Sequence, residues 1–134
     1  MSAPRRNVLT PAEVLALSMP QKRRGPRIRV SPKEQRTYGG VVYHSKAEAN
    51  RAAELDIMKH AGKIAAWTRQ VPFPIEVNGV YICTVVVDFR ICPTAAKGGS
   101  WLEEIKGHET ETYKIKAKLL LACYPGIDYR VVKV

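Results

Sequence analysis

The chain has 134 residues, 46% hydrophobic and 25% charged, which suits one compact domain with an ordinary core. A formal net charge of +10 and an isoelectric point near 9.8 point to an anionic partner, nucleic acid or an acidic surface. No apolar run approaches the roughly 20 residues that span a bilayer, no signal-peptide core opens the chain, and three cysteines without a CxxC pair indicate neither a disulfide framework nor a zinc knuckle, so a cytoplasmic protein without a membrane partner is expected.

The charge is concentrated at the front. Residues 1–36 hold nine cations, among them Arg23, Arg24 and Arg27, against Glu13 and Glu34, or +7 of the total +10. Thr10-Pro11-Ala12-Glu13 has the N-cap, N1 proline and capping-box glutamate of a helix start, which predicts a short helix over residues 11–18. The stretch that follows, rich in proline, lysine and arginine, is expected to be irregular. Residues 1–36 therefore form a basic extension, either a solvated leader or an arm whose Arg23, Arg24 and Arg27 track phosphates. Too little of it is amphipathic for much membrane burial. A folded domain is expected over residues 37–134.

Residues 37–43 read as a short strand or an extended lead-in. Ser45-Lys46-Ala47-Glu48 then opens a helix that runs to about residue 61, with Gly62 at its end. Glu48, Ala52 and Leu55 fall at i, i+4 and i+7 with Met58 at the edge of the stripe, so Glu48 faces inward. A glutamate in this place either bonds back to the backbone of Ser45 or serves a site. Residues 67–77 form a strand interrupted by Pro72 and Pro74, which suits an edge or a bulge. Asn78-Gly79 signals a two-residue hairpin turn, and residues 80–91 return antiparallel.

Residues 84–91 are apolar except for Asp88 and Arg90, which alternation places on one face. An acid in such a run is costly to bury without compensation. After a loop at residues 92–100 comes a third antiparallel strand, residues 101–107, reading Trp-Leu-Glu-Glu-Ile-Lys-Gly. Leu102, Glu104 and Lys106 share one face; Trp101, Glu103 and Ile105 share the other. A divalent cation held between Asp88 and Glu104 would offset the burial of both. Thr110 or Thr112 caps a second helix to about Cys123, with Ile115, Leu119 and Ala122 as its apolar face and Lys114, Lys116 and Lys118 as its charge. Pro125-Gly126 ends it, and residues 127–134 make a last strand. His44, His60 and His108 lack two-histidine ligand spacing. Taken alone, a Glu-x-Lys pair is common on the exposed face of an edge strand.

The ordered set is more telling. Ser45 to Glu48, Gln70-Val71, Asp88-Phe89, Glu104-Ile105-Lys106-Gly107 and the lysine-rich residues 113–118, within an αβββαβ order, resemble the PD-(D/E)xK nuclease superfamily, and within it small phage-encoded endonucleases and Holliday-junction-resolvase-like members. The resemblance covers residues 37–134. Val87 departs from the pattern, standing where the superfamily's name has proline. The resemblance implies an α/β, restriction-endonuclease-like fold with a mixed central sheet flanked by helices. It implies an endonuclease that hydrolyses DNA, branched DNA in particular, working as a homodimer in the cytoplasm of a host cell.

The implied cofactor is Mg2+, with Mn2+ able to substitute. Asp88 and Glu104 would be direct ligands, joined by the backbone carbonyl of Ile105. Glu48 would bind a second ion or orient a water, and Lys106 would position or deprotonate the attacking water. Lys46, Lys114 and Lys116 would meet the DNA backbone. Gln70 is harder to place: counting back through the Asn78-Gly79 turn sets Arg69 on Asp88's face unless a bulge shifts the register. The alternative function is a nucleic-acid-binding module that kept the fold and does not cut.

Overall fold

The computed structural model describes residues 10–12, 30–95 and 98–134. Pro11 and Ala12 are helical, while the rest of the helix predicted over residues 11–18, together with Arg23, Arg24 and Arg27, lies outside the described residues. From residue 30 on, the described chain opens with a 3-10 turn, Lys33–Arg36, and a two-strand hairpin, β1 (Thr37–Tyr38) and β2 (Val41–Val42). The sequence predicts one strand here. Gly39 and Gly40, at φ 57 and 77, fold it back on itself, because the favoured two-residue hairpin turn needs positive φ at both positions.

Helix α1 (Lys46–His60) starts as the sequence predicts, with Ser45 Oγ accepting the Glu48 amide at 3.1 Å, and ends at Ala61 before the left-handed Gly62. Strands β3 (Ile64–Val77) and β4 (Val80–Pro93) form a long hairpin through Asn78-Gly79. Strand β5 (Trp101–Lys106), helix α2 (Glu111–Cys123) and strand β6 (Tyr129–Lys133) complete the chain. The sheet order is β3-β4-β5-β6, antiparallel up to β5 and parallel between β5 and β6, with α2 as the crossover. From residue 30 on, the described residues are thus α/β, with a mixed four-stranded sheet and two α-helices. Pro72 and Pro74 lie on β3, an edge strand, where a missing N–H costs no ladder bond.

The two helices bury two separate cores. Ala49, Ala52 and Leu55 of α1 meet Tyr43, Ile64, Phe89, Ile91 and Ile105. Leu120 of α2 meets Ile75, Val85, Val87 and Leu102. The α2 face differs in part from expectation: Leu119 packs against this core as expected, but Leu120 is its fully buried member, Ile115 is 60% exposed and Ala122 is also exposed. The inward row runs through Tyr113, Ala117, Leu120 and Tyr124, and Lys116 lays its stem along it, so a lysine in the row hid the true stripe. Among the described residues, no helix is long and apolar enough to cross a membrane.

Two irregularities of the β3–β4 hairpin position the site. The first is a register shift beside Ile75 and Glu76, where Tyr81 pairs with Glu76 and Cys83 with Ile75, leaving Ile82 extra. From there on Arg69 pairs with Phe89 and Val71 with Val87, so Gln70 stands opposite Asp88. The bulge that would be needed to bring Gln70 level with Asp88 exists, nearer the turn than Pro72. The second is a roll of the strand pair. Val85 and Val87 belong to the α2 core, yet Phe89 and Ile91, at the same spacing, belong to the α1 core. Phe73 and Trp67 divide in the same way on β3. The roll coincides with Gln70, whose φ of 52 is left-handed.

Candidate active site

Strands β4 and β5 pair from Ile91 and Trp101 only as far as Phe89 and Glu103, and then separate. In the gap, two side chains take over from the backbone ladder. Asp88 Oδ2 accepts the Ile105 amide at 2.8 Å, and Glu104 Oε2 accepts the Asp88 amide at 3.3 Å. Each acid thus satisfies a backbone donor that the splayed strands leave open, and each is anchored by the other's segment. Asp88 and Glu104 are both buried. Arg90, expected on Asp88's face, is exposed beside Ser100 and Leu102, because the roll at Asp88 turns its carboxylate toward β5 instead.

Lys106 follows as alternation predicts. Its Nζ lies 3.3 Å from Glu104 Oε1 and 4.5 Å from the centre of the Tyr113 ring, an arrangement that holds an ammonium from two sides. The Tyr113 hydroxyl meets that of Tyr129 at 2.8 Å. Glu48, buried at the first turn of α1, has the Ser45 hydroxyl at 3.5 Å and the His44 ring at 3.9 Å, and interacts electrostatically with Asp88 and Lys106. One end of the sheet therefore gathers Glu48, Asp88, Glu104 and Lys106 from α1, β4 and β5.

The electrostatics of this cluster are those of a place short of positive charge. Burial, then the neighbouring Asp88 charge, pushes Glu48 up to about 7, against the pull of hydrogen bonds at His44 and Ser45 and of Lys106. Glu104 is pushed up to about 7 by burial and Asp88, with Lys106 opposing. Asp88 is raised by burial, partly offset by the Ile105 amide and Lys106. Three acids share one ammonium, so ionising all of them leaves two charges uncompensated. A divalent cation would supply them, and hard carboxylate oxygens at the rim of a cleft suit Mg2+, which binds through one or two carboxylates and keeps its waters. Among the described residues no three His, Cys, Asp or Glu side chains converge closely enough to hold an ion; the two acids tied to each other's segments are Asp88 and Glu104. The Ile105 amide is engaged by Asp88, and its side chain lies in the α1 core.

A cleft of about 310 Å3 opens beside this cluster, lined by Thr84, Val86, Glu104, Lys106, Thr112 and Lys116, among others. Of the lysines expected at a nucleic-acid surface, Lys116 lines the cleft, Lys114 is exposed and paired with Glu111 at 3.3 Å, and Lys46 lines a different hollow with Asn50 and Val132.

Two further contacts were not anticipated. Arg51 of α1 grips Glu103 of β5 through two hydrogen bonds of 2.8 Å, and Trp101 Nε1 adds a third at 3.1 Å. The signal was present, since Glu103 sits between Trp101 and Ile105 on a row that faces the core, and an acid there demands a cation. The Tyr113–Tyr129 contact joins α2 to β6 across sixteen residues and left no mark in local spacing. Comparison of the chain with protein-family models, with curated proteins and with solved structures returned no match.

Proposed function

We propose that this chain is a metal-dependent endonuclease that hydrolyses phosphodiester bonds in DNA, with branched DNA as the preferred substrate. The observation that carries the reading is the reciprocal locking of Asp88 and Glu104 between separating strands, with the Lys106 ammonium 3.3 Å from Glu104. Hydrolysis of a phosphodiester needs charge on the phosphate offset, a water made nucleophilic and a leaving oxygen stabilised. Asp88 and Glu104 would hold Mg2+, or Mn2+ in its place, with the Ile105 carbonyl as a further oxygen donor. The bound ion would supply Lewis-acid stabilisation of charge on the phosphate.

The chain's own groups divide the remaining work. Glu48, with its carboxyl raised to about 7, is matched to accepting a proton from a water near neutral pH. Lys106 Nζ orients that water and offsets charge on the phosphate oxygens. Tyr113 keeps the ammonium over its ring and so in place. The cleft beside the cluster, with Lys116 and several threonines in its walls, gives the strand a path to these groups.

A second reading is favoured by one observation, the absence of three converging metal-capable side chains among the described residues. It is a nucleic-acid-binding module that does not cut. Incubation with supercoiled plasmid, linear duplex, single strand and a four-way junction, across a magnesium titration, separates the two. Nicked or resolved products that require the metal, and vanish in Asp88→Asn, are expected of the nuclease; tight binding without products at any metal concentration would leave the module.

A further inference from the structure

A groove of about 520 Å3 lies between the β1–β2 hairpin and β3, lined by Tyr38, Gly39, Tyr43, Asp56, Trp67 and Arg69, among others. Its aromatic walls are pinned. Asp56 Oδ2 accepts from the Tyr38 hydroxyl at 2.6 Å and Oδ1 from Trp67 Nε1 at 2.9 Å, so one carboxylate on α1 fixes a ring from the hairpin and a ring from the sheet. Arg69 completes the groove with its guanidinium 4.8 Å from the centre of the Tyr43 ring.

Arg69 differs from Arg51 and Arg130 in its partners. Arg51 and Arg130 each meet a carboxylate at 2.8 Å, whereas Arg36 and Arg69 have none in ion-pair reach among the described residues and share a buried Nε without a hydrogen-bond partner; Arg36 is spent on the Tyr43 carbonyl at 2.7 Å, and Arg69 has only the Tyr43 ring. A buried donor without an acceptor is unusual in a settled structure and calls for an explanation, and at Arg69, on the wall of an open groove, an arriving anion supplies one. The backbone that delivers it is strained as well. Gln70, the next residue, holds a left-handed φ of 52, and the roll there turns Arg69 toward Tyr43 and away from the face of Phe73.

Aromatic rings beside an unpaired arginine form the kind of platform that takes single-stranded nucleic acid, the rings meeting the base and the cation meeting the phosphate. We propose that this groove holds one unpaired nucleotide of a DNA strand, its base against Tyr38 and Trp67 and its phosphate on Arg69. Tyr43 runs directly into His44, Ser45 and the turn of α1 that carries Glu48, with which it interacts electrostatically, so the groove adjoins one of the buried acids. This inference rests on the proposed function in taking DNA as the substrate, and it gives a physical reason for preferring branched or single-stranded DNA over continuous duplex.

The test is equilibrium binding in EDTA, where no cleavage occurs, on the Trp101→Phe chain, in which Trp67 is the remaining indole. The probes are an oligothymidylate of about twelve nucleotides, within the usual span of a single-strand site, a duplex of the same length, thymidine monophosphate and inorganic phosphate. The single strand is expected to quench Trp67 fluorescence, and Arg69→Met to weaken its binding about tenfold while duplex binding stays unchanged. Arg69→Lys, which keeps the charge and loses the planar fork, is expected to weaken it by less. An indole that ignores the strand, quenching by phosphate alone to the same extent, or an Arg69→Met chain that binds the single strand as its parent does would each overturn the proposal. Because this readout needs no metal, a chain that captures the strand through Arg69 and never cuts would refute the nuclease and leave the groove standing.

Discussion

Glu103 and Glu104 are adjacent, both buried, and ionise in opposite directions. Burial raises Glu103, but Arg51 and Trp101 outweigh it and hold its carboxyl below the usual range; Glu104, facing Asp88 across the gap, is raised to about 7. Raised acids bind protons more tightly in the folded chain than in the unfolded one, so their effect on stability has a definite sign. From about pH 4.5 to 7 the folded state holds more protons at Glu48 and Glu104, and their contribution falls as pH rises through that window. Magnesium should reverse this. In thermal melts the gain in Tm on adding Mg2+ to chelated protein is expected to be larger at pH 8 than at pH 5; equal gains would mean these acids do not meet the ion. In the proposed nuclease Lys106 would be separable from metal binding. Lys106→Ala should lower cleavage by about a thousandfold while calorimetric Mg2+ binding stays close to that of the parent, and a variant that cuts at the parental rate would remove Lys106 from the chemistry.

At the scale of elements, the site depends on how α1 and α2 are seated on the sheet. Glu48 rides on α1, and the α1–β5 tie is the Arg51–Glu103 pair, one turn along the helix. Removing the cation strands a buried acid, so Arg51→Ala is expected to cost about 3 kcal/mol in urea unfolding, and Glu103→Gln less. On α2, Leu120→Ala should cost about 3 kcal/mol through the cavity it leaves, whereas Ile115→Ala should stay within about 0.5 kcal/mol because that side chain faces water. Were the two costs reversed, the face of α2 would be wrongly assigned, and with it the placement of Tyr113 over Lys106.

At the scale of the whole molecule, charge and chemistry are segregated. Most of the net charge belongs to residues 1–36, whereas the buried acids sit on α1, β4 and β5. In the proposed nuclease, long-range attraction to an anionic polymer and the reaction itself would then be separable functions. Replacing Arg23, Arg24 and Arg27 together by Ala should reduce the slope of log K against log salt for DNA binding by about 2 to 3, since each duplex phosphate that a side chain neutralises adds roughly 0.9 to that slope. The rate at saturating DNA should be unchanged. An unaltered salt slope would make the extension a bystander.

The sequence by itself determined the order of elements from α1 onward, the cap at Ser45, the choice of Thr110 or Thr112 for the second cap, the hairpin at Asn78-Gly79, and the inward direction of Glu48. These are set by interactions within a few residues, where periodicity and capping chemistry act directly. It also carried the alternation that puts Glu104 beside Lys106. Only the tertiary structure decided what lies opposite what. One extra residue at Ile82 shifted the register and brought Gln70 level with Asp88, and the roll at that level separated Asp88 from Arg90. A single inserted residue reverses which side chains face each other along a strand pair, and no local pattern announces it. The same holds for Arg51 with Glu103 and for the groove around Arg69, whose members come from β1, α1 and β3 and meet only once the sheet and α1 have packed.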